Sequence, residues 1–299
     1  MRRPWGRVRV WEAGEGPPLL AVHGLGGSGR YWTGLAEALG DRFHVIAPDL
    51  GGFGASGKPR GDYDRGFHLA NLDAVVEACA PEERVAVASH SLGSMLALVW
   101  AARDPSRVRV LALAATPYPV PHHAWDPARW SGGRALVPRA VAGTFRLLWP
   151  LVSLPVIATG RYPGAVVRDY GRQTFRSRSR TLWSLWSDPS LAEELPGIEA
   201  IPTSVPVLLS HAADDRRVPA ANVERWRGHV PHAEACVVSD GGHQFLLRSR
   251  FEPLVAWLDA HRDPSSDAAP TPGADHVSRT TPRSPVRRAS VRARGHRDL

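Results

Sequence analysis

The sequence is short of cysteine, lysine and long apolar runs, and each shortage excludes something. Only two of its 299 residues are cysteine, Cys79 and Cys236. A chain of this length can bury a sizeable core without covalent help. One cysteine is read on a helix and the other on a strand, so no disulfide framework is expected and a reducing compartment, the cytoplasm, fits. No Cys and His cluster at zinc spacing, and neither a metal nor an organic cofactor is implied. The closest thing to a membrane segment, "LLWPLVSLPVIATG" at 147–160, is too short to span a bilayer and contains Pro150 and Pro155. The N-terminal "MRRPWGRVRVWEAGEGPP" has basic residues but no apolar core of a signal peptide. Lysine occurs once, at Lys58, so the net charge of +8 is carried by arginine.

That charge is uneven. Residues 262–299 hold eight Arg and four Asp, which supplies +4 of the +8. The segment is rich in Ser, Thr, Pro and Arg and has almost no large apolar residues. It cannot bury enough surface to offset its ordering entropy, so 263–299 reads as a disordered tail. Its charge suits an anionic surface only weakly. No aromatic is interleaved to stack on bases, so no nucleic-acid partner is expected.

Over the whole chain, 43% hydrophobic and 22% charged residues fit a soluble globular protein. Short apolar runs at 7–12, 18–23, 43–47, 84–88, 108–114, 205–210 and 234–238 read as strands. Helical spacing appears at 30–39, 68–79, 92–103, 219–229 and 245–261. The alternation predicts an α/β fold, a mostly parallel sheet with helices on both faces. Residues 117–200 interrupt it with no clear strand and with Tyr118, Trp125, Trp130, Phe145, Trp149, Tyr162, Trp183 and Trp186. They read as a helical cap lining a pocket, inserted after the sixth strand, with 1–116 and 201–262 forming the core.

"RVAVASHSLGSMLALVW", residues 84–100, changes period partway. A strand-type run gives way to Leu92, Met95, Leu96 and Val99 at helical spacing. Strand, sharp turn and helix make the geometry of a nucleophile elbow, which holds the side chain of its central residue clear of the sheet. Neighbouring backbone passes close, so the positions two before and two after must be small. Here they are Ser89 and Gly93 around Ser91, with Ser where glycine is usual. Ser91 is the candidate nucleophile, at a helix N-terminus whose dipole favours a developing anion.

A serine hydroxyl needs a base, and the base needs a carboxylate. "CVVSDGGHQFLL" offers His243 in a glycine turn between the last strand and the last helix. Of the other histidines, His90 should project away from Ser91, His211 lies too early on its strand, and His23 serves its loop. "VLLSHAADDRRVP" offers Asp214 and Asp215, of which spacing favours Asp215. Asp240 is too near His243 in the chain, and Asp49 precedes a glycine-rich turn where carboxylates cap amides. The amide of Leu92 and one from "VHGLGGSG" (22–29), that of Leu25, would face an oxyanion. That loop lacks the spacing of a phosphate-binding motif.

Together, "HGLGG" (23–27), "PDLGGFGASGKP" (48–59), "SHSLG" (89–93), "DDRRVP" (214–219) and "GGH" (241–243) resemble the α/β-hydrolase superfamily over about residues 5–262. The resemblance implies a Ser91–His243–Asp215 triad, an oxyanion hole from Leu25 and Leu92, and a variable cap at 117–200. It implies a serine hydrolase cleaving an ester-type bond of an apolar small molecule through an acyl-enzyme. Superfamily members with an Asp nucleophile, the haloalkane dehalogenases and epoxide hydrolases, are excluded by Ser91. Thioesterase, acyltransferase and C–C bond hydrolase chemistry stay open, the last less favoured because Gln244 and not Trp follows His243. A non-catalytic binder on the same fold is the alternative of another class.

Overall fold

The structure is a computed structural model that describes residues 6–119, 164–187, 197–199, 201–249, 251–262 and 293–298, together with positions 148, 151 and 154. Trp125, Trp130, Phe145, Trp149, Tyr162 and Arg161 lie outside the described residues. The strands are β1 (Arg9–Ala13), β2 (Pro18–Val22), β3 (His44–Pro48), β4 (Val85–His90), β5 (Val108–Ala114), β6 (Val207–Ala212), β7 (Glu234–Val238) and β8 (Ala293–Asp298). The helices are α1 (Thr33–Leu39), α2 (Arg65–Cys79), α3 (Leu92–Arg103), α4 (Gly164–Tyr170), α5 (Phe175–Leu182), α6 (Asn222–His229), α7 (Phe245–Arg248) and α8 (Glu252–Ala260).

The strands form one sheet in the order β7-β6-β5-β4-β2-β3-β1-β8. From β7 to β3 every pair is parallel, and β1 is antiparallel to β3. Successive side chains along a strand point to opposite faces, and β4 shows the consequence. Val85 and Val87 join the core under α2, α3 and α6, while Ala86 and Ala88 join the core under α1 and α8. Both faces are thus buried, which is why the strands read as continuous apolar runs.

Two expectations are corrected. The insertion at 117–200 follows the fifth strand and not the sixth, because only β1 to β5 precede it. The tail is not without structure throughout, because the backbone of 293–298 pairs antiparallel with β1 as β8. An edge strand leaves a row of main-chain donors and acceptors open. Main-chain pairing does not require apolar side chains, so composition alone could not signal it. Cys79 and Cys236 are free thiols, on α2 and β7 as read.

Within the insertion, α4 and α5 lie over the carboxyl edge of the sheet. Thr174 caps α5 by accepting the Ser177 amide, and the Ser177 hydroxyl answers the Thr174 amide. Side chains of α2 fasten this segment to the core. The Arg65 guanidinium donates to the Ser184 carbonyl at 3.0 Å. His68 Nε2 hydrogen-bonds Thr181 Oγ1 at 2.8 Å, and its Nδ1 is buried with no hydrogen-bond partner among the described residues.

Burial, with the neighbouring His23 adding to it, lowers the His68 imidazole from 6.5 to about 3. Between those two pH values the unfolded chain binds this proton and the folded chain does not. Stability therefore rises with pH across the window and is lost as pH falls through it, by up to about 1.4 kcal/mol per pH unit for one such group. The urea midpoint should fall as the buffer is taken from pH 7 to pH 4. His68→Gln, which keeps a polar partner for Thr181, should flatten that dependence. An unchanged slope in the variant would show that His68 does not contribute to it.

Candidate active site

The chain leaves β4 through Ser91, whose backbone lies at φ 55° and ψ −126°. A non-glycine residue in that left-handed region is strained and is held by its surroundings. Here the Ser91 amide donates to Ala114 O of β5 at 2.8 Å, and the Ser94 amide donates back to Ser91 O at 2.8 Å. The crowding around the turn explains the small residues. A Cβ on Gly93 would stand 2.4 Å from the His23 carbonyl oxygen, and one on Gly24 would stand 3.1 Å from Ser91 Cβ. Ser89 fits where glycine is usual because its hydroxyl is satisfied inside the sheet. It donates to Ser94 Oγ at 3.1 Å and lies 3.3 Å from Ala112 O.

Three loops at the same sheet edge converge on Ser91. Its hydroxyl is 2.9 Å from His243 Nε2, and His243 Nδ1 is 2.8 Å from Asp215 Oδ2. The Asp215 carboxylate is buried and fully engaged. Oδ1 accepts the amides of Arg217 at 2.8 Å and Val218 at 3.1 Å. Oδ2 also faces His211 Nε2 at 3.3 Å. Burial by itself would raise this carboxyl; the hydrogen bonds from His211, His243 and the Val218 amide outweigh it and hold Asp215 well below the usual carboxylate range. Asp214, the neighbouring acid, points elsewhere and accepts the Gly242 amide at 2.7 Å, which ties down the turn that carries His243. Asp240 is exposed and lies off this chain of contacts.

The decoys serve structure. His23 bridges two loops, with Nδ1 at 2.8 Å from Gly24 O and Nε2 accepting the Leu50 amide at 3.0 Å. Asp49 accepts the amides of Gly29 at 2.7 Å and Ala55 at 2.6 Å. His90 has a role that sequence reasoning missed. It is buried, its ring stacks on Tyr31 at 5.0 Å, and Nε2 donates to the His243 carbonyl at 2.7 Å. Burial, then the nearby His243, lowers His90 to about 3 and keeps it neutral. Its proximity to Ser91 in the chain was the available signal.

A cavity of about 720 Å³ opens over Ser91. Leu25, Leu92 and His243 border it on the core side, and Val166, Val167, Tyr170 and Leu182 border it on the cap side. Leu92 is the first residue of α3, so its amide has no acceptor within the helix. Among the described residues no group of three or more His, Cys, Asp or Glu is arranged to hold a metal, and no helix is long and apolar enough to cross a membrane.

Comparison with known proteins agrees with this architecture. Residues 17–147 match the family model described as the alpha/beta hydrolase fold. An uncharacterized protein of Mycobacterium tuberculosis (strain H37Rv) is 31% identical over 227 residues, which are 73% of this chain and 56% of that protein. The chain thus spans little more than half the length of that relative. A cis-3-alkyl-4-alkyloxetan-2-one decarboxylase of Shewanella oneidensis is 27% identical over 269 residues, 82% of each chain. Among solved structures, an ancestral haloalkane dehalogenase superposes with a TM-score of 0.64 at 25% identity, covering 85% of this chain and 96% of that one.

The contact between Gly93 and the end of β2 sets a steric test. Gly93→Ala places a methyl group against the His23 and Val22 carbonyls, both backbone atoms that cannot swing aside. A loss of about 3 kcal/mol or more is expected, read from the denaturation midpoint. A variant as stable as the parent would mean that the elbow and β2 do not pack this closely.

Proposed function

This chain belongs to the α/β-hydrolase superfamily, and from that premise we propose that it is a serine hydrolase that cleaves an ester-type bond of a largely apolar small molecule. The observation that carries the proposal is the continuous hydrogen-bonded line Ser91 Oγ, His243 Nε2 and Nδ1, Asp215 Oδ2, with steps of 2.9 and 2.8 Å. Ser91 attacks the carbonyl while His243 takes the hydroxyl proton. Asp215 holds the imidazole tautomer and stabilises the imidazolium. The amides of Leu25 and Leu92 face the oxyanion of the tetrahedral intermediate. The leaving group takes its proton from His243, and an ester forms on Ser91. Water, deprotonated by the same imidazole, then releases the acid and restores the serine.

The residue types restrict the chemistry. A hydroxyl delivered by an imidazole suits acyl transfer, whereas the dehalogenase-like neighbour in fold lends no displacement chemistry, because position 91 is serine and not a carboxylate. The relative named for decarboxylating an alkyl-substituted oxetan-2-one takes a molecule that bears alkyl groups, which fits an apolar wall over Ser91 and lends no acyl-transfer chemistry. Val166, Val167 and Leu182 supply such a wall here.

Ser91→Ala should fold normally and lose p-nitrophenyl ester turnover by about a thousandfold or more. A fluorophosphonate should label the parent stoichiometrically at Ser91 and leave the variant untouched. Turnover that survives in the variant refutes the assignment, and a parent that is never labelled points to a binding protein. Asp215→Asn should cost a comparable factor in kcat. Asp214→Asn, which loses only the contact to the Gly242 amide, should cost far less. The reverse order would exchange the two acids.

A further inference from the structure

The wall of the cavity is built largely from glycine, leucine, valine, proline and tyrosine. Among the described residues, and apart from histidine, two charged side chains border it, Arg178 from α5 and Arg217 from the turn after β6, and no carboxylate does. One guanidinium belongs to the cap and the other to the core, so they approach the opening from different elements.

Two arginines of this segment are matched by carboxylates. Arg172 reaches Asp169 at 2.8 Å, and Arg180 reaches Asp62 at 3.1 Å. Arg178 has no carboxylate at ion-pair distance among the described residues. Its guanidinium lies 5.7 Å over the ring of Tyr170, itself part of the wall. Stacking on an aromatic face orients a guanidinium and leaves its N–H edge for a ligand. Arg217 is likewise without an ion pair among the described residues. Its own amide donates to Asp215 Oδ1 at 2.8 Å, which fixes the point from which its side chain leaves the backbone. The planar fork of a guanidinium matches the two oxygens of a carboxylate or phosphate.

Resting on the serine-hydrolase reading above, we propose that the cavity selects esters whose far end carries an anionic group, a carboxylate or a phosphate, held by Arg178 and Arg217 while the carbonyl meets Ser91. The apolar wall between takes the connecting chain. Both arginines are exposed, so solvent and salt weaken the attraction, and selectivity of about tenfold is expected at low ionic strength.

The test uses p-nitrophenyl esters of matched acyl length that end in a methyl, a carboxylate or a phosphonate. The readout is the ratio of kcat/KM for each anionic ester to that for the methyl-ended one. A ratio of about ten is expected at low salt, collapsing as sodium chloride approaches about 1 M. R178K, which keeps the charge but loses the stacked fork, should lower it, the R178Q/R217Q double variant should bring it towards one, and R178E should take it below that. Whichever anionic arm has the higher ratio identifies the group. A ratio near one for both arms in the parent protein, or a high ratio that survives the double variant, overturns the proposal. Fluorophosphonate labelling of the same samples separates the two levels. Labelled Ser91 with a ratio near one removes the anion preference alone, whereas unlabelled Ser91 in the parent removes the hydrolase reading and this inference with it.

Discussion

One left-handed residue, Ser91, constrains most of what surrounds it. A single non-glycine residue in such a conformation costs on the order of 1–3 kcal/mol and persists only where neighbours leave no alternative. β4 enters from the centre of a parallel sheet and α3 leaves with its first turn pressed against the end of β2. The pinning bonds come from β5, through the Ala114 carbonyl, and from the first turn of α3 itself. Nothing bulkier than hydrogen fits at Gly93, while Ser89 is admitted because its hydroxyl finds partners inside the sheet. The strain thus fixes a hydroxyl at the strand end, clear of the pleat, where loops from β2, β6 and β7 also finish.

The second constraint is a buried carboxylate. Asp215 would be costly in this setting if left unpaired. Two amides on one oxygen and two imidazoles facing the other offset that cost and keep the group ionised. This divides the work between adjacent acids. Asp215 turns inward to His243, and Asp214 turns to the Gly242 amide in the same turn. His90 completes the support from below by donating to the His243 carbonyl. The imidazole of His243 is therefore held through its ring by Asp215, through its own carbonyl by His90, and through the preceding residue by Asp214.

Much of this was legible in the sequence because the physics is local. Short apolar runs, continuous because both faces of the sheet are buried, located the strands, and β7 begins and ends at the predicted residues. The elbow could be recognised from residue size at Ser89, Ser91 and Gly93. Other features depend on partners distant in the chain. The helix read as one piece at 245–261 breaks at Phe251, which takes φ 62° and packs its ring against Tyr31 and Trp32. Pro253 then opens α8 at a position where a missing amide proton is harmless. The Pro253 signal is local, but the ring contacts that stabilise Phe251 are not. The support that His90 gives was not legible for a similar reason: its partner, the His243 carbonyl, lies 153 residues away. The pairing of 293–298 with β1 was invisible because it uses main-chain groups that every residue possesses.

The parallel strands and the segment 164–187 are held by different kinds of contact. The loops that carry Ser91, His243 and Asp215 end parallel strands whose ladders leave little freedom, and the three side chains meet within normal hydrogen-bond distances. Val166 and Leu185 of the segment 164–187 are buried in the core clusters, and long side chains add hydrogen bonds, notably Arg65 to Ser184 and His68 to Thr181. Bonds of this type contribute about 1 kcal/mol each, far less than dismantling the sheet would cost. Substitutions in α4 and α5 can therefore reshape the wall at Val166, Val167, Tyr170 and Arg178 without reaching the elbow. Because the sheet ladders fix Ser91, His243 and Asp215 while the wall comes from a separate segment, the sheet-edge motifs reveal the fold, and the shape of the pocket depends on residues 164–182.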